Sequence, residues 1–361
     1  MEFALSEDQR MLQSSIVGTL ENVSSLEHVR RVAAGELDVA ATVNAALGEL
    51  GAGQLLVPEQ YGGLGLGALE AALIQEALGH AVSPGAFLAG AMAIIAIRGA
   101  GSEAQQAHWL GGICAGESTL GVALTEAVSA RDGAGITSHD TKLSGKALFA
   151  FEVDAASHVL TADAAGALFI VDLSAKGVST TPLGTIDKTR SYTELMFDGV
   201  EAEPLSSESS LGDTLVQVLA LGRILFAADT LGACQNMLEK AVAYAAERKQ
   251  FGRVIGSFQA VKHMCAEMAA KLEPCRALVW HSAYLFDTDP AKAALMSCLT
   301  KSHMSEVGTF VARTSTEVHG GMGFTDLVGL HYWFKRIGVN RQWLGGPEAL
   351  RLEAARLQGW A

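Results

Sequence analysis

Charge is scarce in this chain of 361 residues: Asp, Glu, Lys and Arg together make up 18% of it, against 49% hydrophobic residues. So thin a polar coat implies that other subunits cover much of the surface. Basic residues are scarcer than acidic ones. The formal net charge of −13 excludes the basic footprint that a nucleic-acid partner requires, and argues equally against anionic membranes. Five cysteines, an odd count without C-x-x-C spacing, exclude a disulfide framework and imply reduced, mostly buried thiols. A secretory leader is missing, since "MEFALSEDQR" carries acids where such a leader carries bases. The longest apolar stretch, "FLAGAMAIIAI" at 87–97, is too short for a bilayer and reads as a buried helix. A soluble, cytoplasmic protein is expected.

Familiar catalytic strings are missing too. No "HEXXH"-like segment occurs, so no metal site is expected. There is no nucleophile elbow and no phosphate loop ending in Gly-Lys-Ser/Thr. "GGLGLGALE" is glycine-rich but follows no strand pattern, and reads as a helix-entry loop rather than a nicotinamide site.

What is present falls into three textures. Residues 1–117 read as helices, opened by Ser6 as an N-cap and punctuated by glycines such as Gly51. From 118 to 208 the segments are short, β-branched and turn-bounded, which predicts an antiparallel β-domain. From 209 to 361 long helices return. One of them, beginning near Leu215, is apolar on all sides, as the centre of a bundle would be. In the next, Val261, Met264, Cys265, Met268, Leu272, Cys275 and Val279 recur at three- and four-residue steps and read as core.

Three segments stand out. In "ERKQFGRVIGSFQAVKH" a helix is expected to end with Arg248 and Lys249 in its last turn, and another to begin near Phe258. Arg248, Phe251 and Gln259 around that turn would suit a nucleotide diphosphate. "TEVHGGMGF" has three glycines in four residues, allowing backbone N–H groups to approach a phosphate or ring. "RQWLGGPEALRLEA" carries Gly345 and Gly346, each able to take backbone angles unfavourable to other residues, and Pro347, suited to a helix's first turn.

Together with the N-terminal "FALSEDQRML" and the helix–strand–helix order, these segments resemble the acyl-CoA dehydrogenase family over the whole chain. The resemblance implies an α+β, mainly α, fold: an N-terminal helical domain, a central β-domain and a C-terminal four-helix bundle, usually in a tetramer. It also implies FAD as cofactor and α,β-desaturation of an acyl-CoA thioester. By this resemblance Arg248, Phe251, Gln259 and the Gly320–Gly321 backbone contact the FAD of a neighbouring subunit. Glu317 stands where relatives usually carry glutamine. Thr125 belongs to the loop around a subunit's own flavin, and Arg223, Leu344 and Gly345 to the substrate site.

The chemistry needs a carboxylate to take the proton alpha to the thioester, a hydride acceptor, and donors to the thioester oxygen. At the two positions where relatives carry that base, this chain has Leu344 and Gly222. The flavin loop reads "TEAVSARD", with Ala127, Ala130 and Arg131 replacing proline, glycine and serine. In "GKALFAFE", Leu148 replaces a shielding aromatic ring and Ala150 a hydroxyl. The pattern resembles the base-less subunit of heterotetrameric (α2β2) acyl-CoA dehydrogenases that act on bulky, steroid-like esters. The resemblance then implies a second dehydrogenase subunit as partner. Two alternatives stand beside it. One is a self-sufficient homo-oligomer with the base relocated to Glu126, Glu348 or Glu317. The other is a non-enzymatic assembly subunit on the same fold.

Overall fold

The structure is a computed structural model that describes residues 4–36, 38–129, 131–206 and 211–360. Ala130 and the expected domain boundary at 208/209 lie outside the described residues. Six helices come first: α1 (Glu7–Val23), α2 (Leu26–Ala33), α3 (Asp38–Glu49), α4 (Ala68–His80), α5 (Phe87–Ala100) and α6 (Glu103–Cys114). Ser6 opens α1 with a reciprocal cap. Its hydroxyl accepts from the Gln9 N–H at 3.1 Å, and its own N–H donates to Gln9 Oε1 at 2.9 Å, which satisfies two donors that a helix start leaves free. The apolar run at 87–97 forms most of α5, where Leu88, Met92, Ala96 and Ile97 are buried.

The strands follow: β1 (Leu120–Ala123), β2 (Gly135–His139), β3 (Lys142–Phe151), β4 (His158–Ala162), β5 (Leu168–Asp172), β6 (Val178–Pro182), β7 (Tyr192–Glu201) and β8 (Glu203–Pro204), with a one-turn helix α7 (Thr125–Val128) after β1. They form one sheet in the order β6-β7-β3-β1-β4-β5-β8, with β2 paired to β3. The expectation of a purely antiparallel sheet needs one correction, because β1 and β4 run parallel, with Leu120 opposite His158 and Ala123 opposite Thr161. Between them the chain reverses once in the β2–β3 hairpin and again after β3, so β4 returns in the direction of β1.

The C-terminal helices are α8 (Leu211–Glu247), α9 (Gln259–Thr288), α10 (Pro290–His319), α11 (Leu330–Gln342) and α12 (Pro347–Leu357). By length and composition α8 could cross a membrane, but 83% of its most apolar window is buried inside the protein, as the core helix of a bundle would be. It lies against α4 at very short range. A Cβ on Gly79 would fall 2.0 Å from the Asp229 carbonyl oxygen, and one on Gly232 would fall 1.9 Å from that of Glu76. Only glycine at both positions lets the backbones meet, and the crossing fixes where Asp229 enters the core. On α9, Met268, Leu272, Cys275 and Val279 are buried, while Val261, Met264 and Cys265 are only half-covered near its exposed start.

Candidate active site and cofactor groove

The double-glycine loop after α11 carries one of the two positions where the base was sought. Gly345 is left-handed at φ 109°, but Gly346 is an ordinary extended N-cap at φ −73°. The second left-handed residue is instead Leu344, at φ 54°, a conformation unfavourable to a branched side chain unless its surroundings enforce it. Two buried cations supply that enforcement. Lys301 Nζ donates to the carbonyls of Gly345 (2.8 Å) and Arg341 (3.3 Å), and Arg223 Nε donates to that of Leu344 (3.2 Å). The Arg223 guanidinium also grips Glu353 through two bonds of 2.7 and 2.8 Å and reaches Cys298 Sγ at 3.2 Å. Expected to face substrate, Arg223 is 3% exposed and engaged on all three nitrogens; here it holds the loop. Burial, then the charges of Arg223 and Arg341, brings the Lys301 ammonium down to about 7.

The loop aims Leu344 at the second family position. A Cβ on Gly222 would lie 2.5 Å from Leu344 Cδ1 and 2.8 Å from Met92 Sδ. Both positions therefore face one point, and Leu344 and Met92, 1% and 0% exposed, fill it. Beside them Phe151, Phe226 and Trp343 pack as a triad with ring centroids 5.1–5.8 Å apart, and the Arg190 guanidinium lies 5.4 Å from the Phe151 ring. This lining is apolar and contains no proton acceptor.

The flavin loop of this chain is used up locally. The Thr125 hydroxyl donates to the Leu148 carbonyl at 2.6 Å and bonds to Glu126 at 3.0 Å. Glu126 accepts from the Leu148 N–H at 3.0 Å and from Arg131 at 3.4 Å. Arg131, at a position expected to be a small residue, reaches over the Phe149 ring at 5.6 Å. Ala150 is fully buried and Asp132 is exposed. With its hydroxyl, carboxylate and adjoining backbone committed to each other, this loop does not fit FAD. Nor is Glu126 a free base. Glu348 is no better placed, because its side chain is 76% exposed and pairs with Arg341 at 3.4 Å on the outer surface.

Sequence reading missed a buried ionic cluster beside the triad. Asp229 accepts from Gln75 (2.7 Å), Arg190 (2.5 Å) and Asn340 (2.7 Å), and Arg190 also donates to Asn340 Oδ1 at 2.9 Å. Burial would raise the Asp229 carboxyl, but Arg190 and Arg336 outweigh it and hold it low. Glu152 borders the cluster in a left-handed backbone (φ 55°), with Oε1 enclosed and unpartnered. Burial raises its carboxyl to about 8 despite Arg190 and Arg336. The signal was present: an aspartate, Asp229, in the apolar middle of a helix must find a buried partner.

The outward-facing residues assemble differently. α8 stops at Glu247, so Arg248 and Lys249 follow the helix instead of closing its last turn. Lys249–Gln250 then pairs with Arg253–Val254 in a two-residue hairpin. At its tip Phe251 (φ 52°) and Gly252 (φ 75°) are both left-handed, and Phe251 is 92% exposed. Arg248, Gln250, Glu317, Gly320 and Gly321 line a surface groove of about 440 Å³, floored by Tyr244 stacked on His319 at 4.6 Å. Among the described residues neither Arg248 nor Glu317 has a side-chain partner. Gln259 is exposed at the start of α9, and its side chain hydrogen-bonds to its own-helix neighbour His263 at 3.1 Å. A free guanidinium, an exposed ring and a Gly–Gly backbone fit part of a nucleotide cofactor.

An all-helical N-terminal domain, a β-sheet and a helical bundle, with a groove suited to a nucleotide, define a flavin-dependent dehydrogenase class. The family model described as acyl-CoA dehydrogenase, N-terminal domain, matches residues 6–117, and that described as acyl-CoA dehydrogenase, C-terminal domain, matches residues 213–357. The chain belongs to the acyl-CoA dehydrogenase family, whose members are FAD-dependent oxidoreductases. It is 28% identical over 359 residues to acyl-CoA dehydrogenase IpdE2 of Mycolicibacterium smegmatis, covering 97% of this chain and 99% of that protein. Among solved structures it is similar to the Tcur3481–Tcur3483 steroid ACAD G363A variant, with TM-score 0.88 and 27% identity over 98% of both chains. It is also similar to the ChsE4–ChsE5 complex from Mycobacterium tuberculosis, with TM-score 0.89 and 25% identity over 100% of both chains.

Proposed function

We propose that this chain is the non-base-carrying subunit of a cytoplasmic heteromeric acyl-CoA dehydrogenase. A partner supplies the proton acceptor and most of the flavin pocket. The observation that carries this reading is the closed apolar contact of Leu344 with Gly222, the two positions at which a base would stand. Arg248, Phe251, Gln259 and the Gly320–Gly321 backbone would hold the outer part of the partner's FAD, and Glu317 sits beside Arg248 in the same groove. FAD, when bound, supplies the hydride acceptor. This chain contributes an anchoring cation and backbone donors, which orient a cofactor without entering the proton transfer. The steroid ACAD among the structural relatives and the paired ChsE4–ChsE5 subunits support a heterotetramer acting on a bulky, steroid-like thioester.

The test is flavin absorbance of the chain purified alone and after co-expression with a candidate second subunit. The expected result is a colourless single chain and a yellow complex that desaturates the thioester. A single chain that holds a full complement of flavin and turns over an acyl-CoA would overturn the proposal.

A further inference from the structure

A second cavity, of about 240 Å³, lies in the N-terminal domain between α3, α5, α6 and the start of β1. It is separate from the filled site. At about 100° per residue, Phe87, Gly90, Ala91 and Ile94 share one face of α5 and line this cavity, whereas Met92 points roughly the other way, toward Gly222. Helix α5 thus stands between the packed Leu344–Met92–Gly222 contact on one side and an open chamber on the other.

The open chamber is kept open by choice of residue rather than by backbone need. Gly48 lies in α3, Gly53 in the short 3-10 turn after it and Gly90 in α5. None has a left-handed φ, and a Cβ added to any of the three would meet nothing within 4 Å. Alanine would strengthen each helical segment, since glycine is the poorer helix former. It would also intrude on the cavity, and the three missing methyl groups leave room there.

We propose that this cavity is a binding site for a small neutral molecule with a hydrocarbon body and one hydrogen-bond acceptor. No lining residue carries a charge, so an ionised ligand would be desolvated without a counter-charge. The volume exceeds the roughly 150 Å³ of a cavity that takes benzene and falls below the about 300 Å³ at which pockets for drug-sized ligands begin. That range excludes a whole CoA ester, FAD or a helix of another protein. The acceptor would meet Asn44 at the rim. Its Oδ1 is taken by the Ala86 N–H at 3.0 Å, while its amide N–H groups make no hydrogen bond among the described residues.

The experiment uses the protein as purified, with its partner where one co-purifies, and two probes that share a body: camphor, a neutral bicyclic ketone, and camphorsulfonate, its charged counterpart. Camphor is expected to raise the melting temperature and to give a saturable titration, and camphorsulfonate to do neither. Gly90→Leu and, independently, Gly48→Leu fill the space from opposite walls and should weaken camphor binding by at least about tenfold. Flavin content should stay as it was. The proposal fails if camphor does not bind at millimolar concentration, or if camphorsulfonate binds equally well. It also fails if both variants still bind camphor as the parent does, or if either filling variant stops the subunits assembling, since the cavity would then seat a partner's side chain.

Discussion

Two buried titratable groups make opposite contributions to stability as pH changes. Glu152 is raised from 4.5 to about 8, so between those values the folded chain holds a proton that the unfolded chain has released. Stability therefore falls as pH rises through that window, by up to about 1 kcal/mol per pH unit. Glu152→Gln should flatten the decline in chemical denaturation from pH 5 to 8. Lys301 is lowered from 10.5 to about 7, so from 7 to 10.5 the unfolded chain carries the extra proton and stability rises with pH. Lys301→Met should remove that rise, at the expense of the bonds to the Arg341 and Gly345 carbonyls. A third prediction concerns position 344. Leu344→Glu places an unpaired carboxylate against Met92 and Gly222, which should destabilise the chain by roughly 3 kcal/mol. It should leave the single chain without desaturase activity in a thioester-dependent dye-reduction assay, because the flavin loop is still self-bonded.

Among the elements, the loop 343–346 and the hairpin 249–254 carry the two halves of the proposed function. In the loop, the Lys301 and Arg223 bonds to successive carbonyls fix a strained backbone whose side chain now only fills space. Enlarging the facing residue tests that packing. Gly222→Val would drive its Cβ into Leu344 and Met92 and should cost about 1–3 kcal/mol, read as a lower midpoint in urea. Beside the hairpin, the Arg248 side chain has no partner among the described residues, and at its tip Phe251 is almost wholly solvated. Substituting either with alanine should leave the melting temperature of the isolated chain within a degree or so, because exposed side chains contribute little to folding. The same substitutions should lower flavin retention in the complex, by about 1–3 kcal/mol for Arg248, whose guanidinium would pair with a phosphate. Equal flavin retention in the Arg248→Ala complex would remove that residue from the cofactor grip.

Taken whole, the molecule is an acyl-CoA dehydrogenase-family scaffold with an apolar, closely packed centre and an open groove at its surface. Leu344 and Met92 close the position of the base, and the Phe151–Phe226–Trp343 triad lies against them. Around that centre Arg190, Arg336, Asp187 and Asp229 are buried at a net charge near zero, a cluster that is costly to break singly because each loss strands its partner. The exposed apolar side chains of Phe251, Phe324 and Leu327, at 92%, 80% and 75%, have the character of a surface meant to be covered.

The sequence by itself determined the order of helices and strands, the apolar central helix and the family. Periodicity, caps and glycine-rich turns are local and act within a few residues, whereas the two base positions were placed by the resemblance to the family. The sequence determined too that Leu344 and Gly222 cannot take a proton, since that follows from side-chain chemistry alone. Only the tertiary structure decided that those two positions touch, that Arg223 and Lys301 hold the loop, that Thr125 and Glu126 are spent on Leu148, and that β1 and β4 run parallel. Each of these depends on residues tens to more than a hundred positions apart, brought together by close packing such as the Gly79–Gly232 crossing, and no local pattern encodes such a meeting.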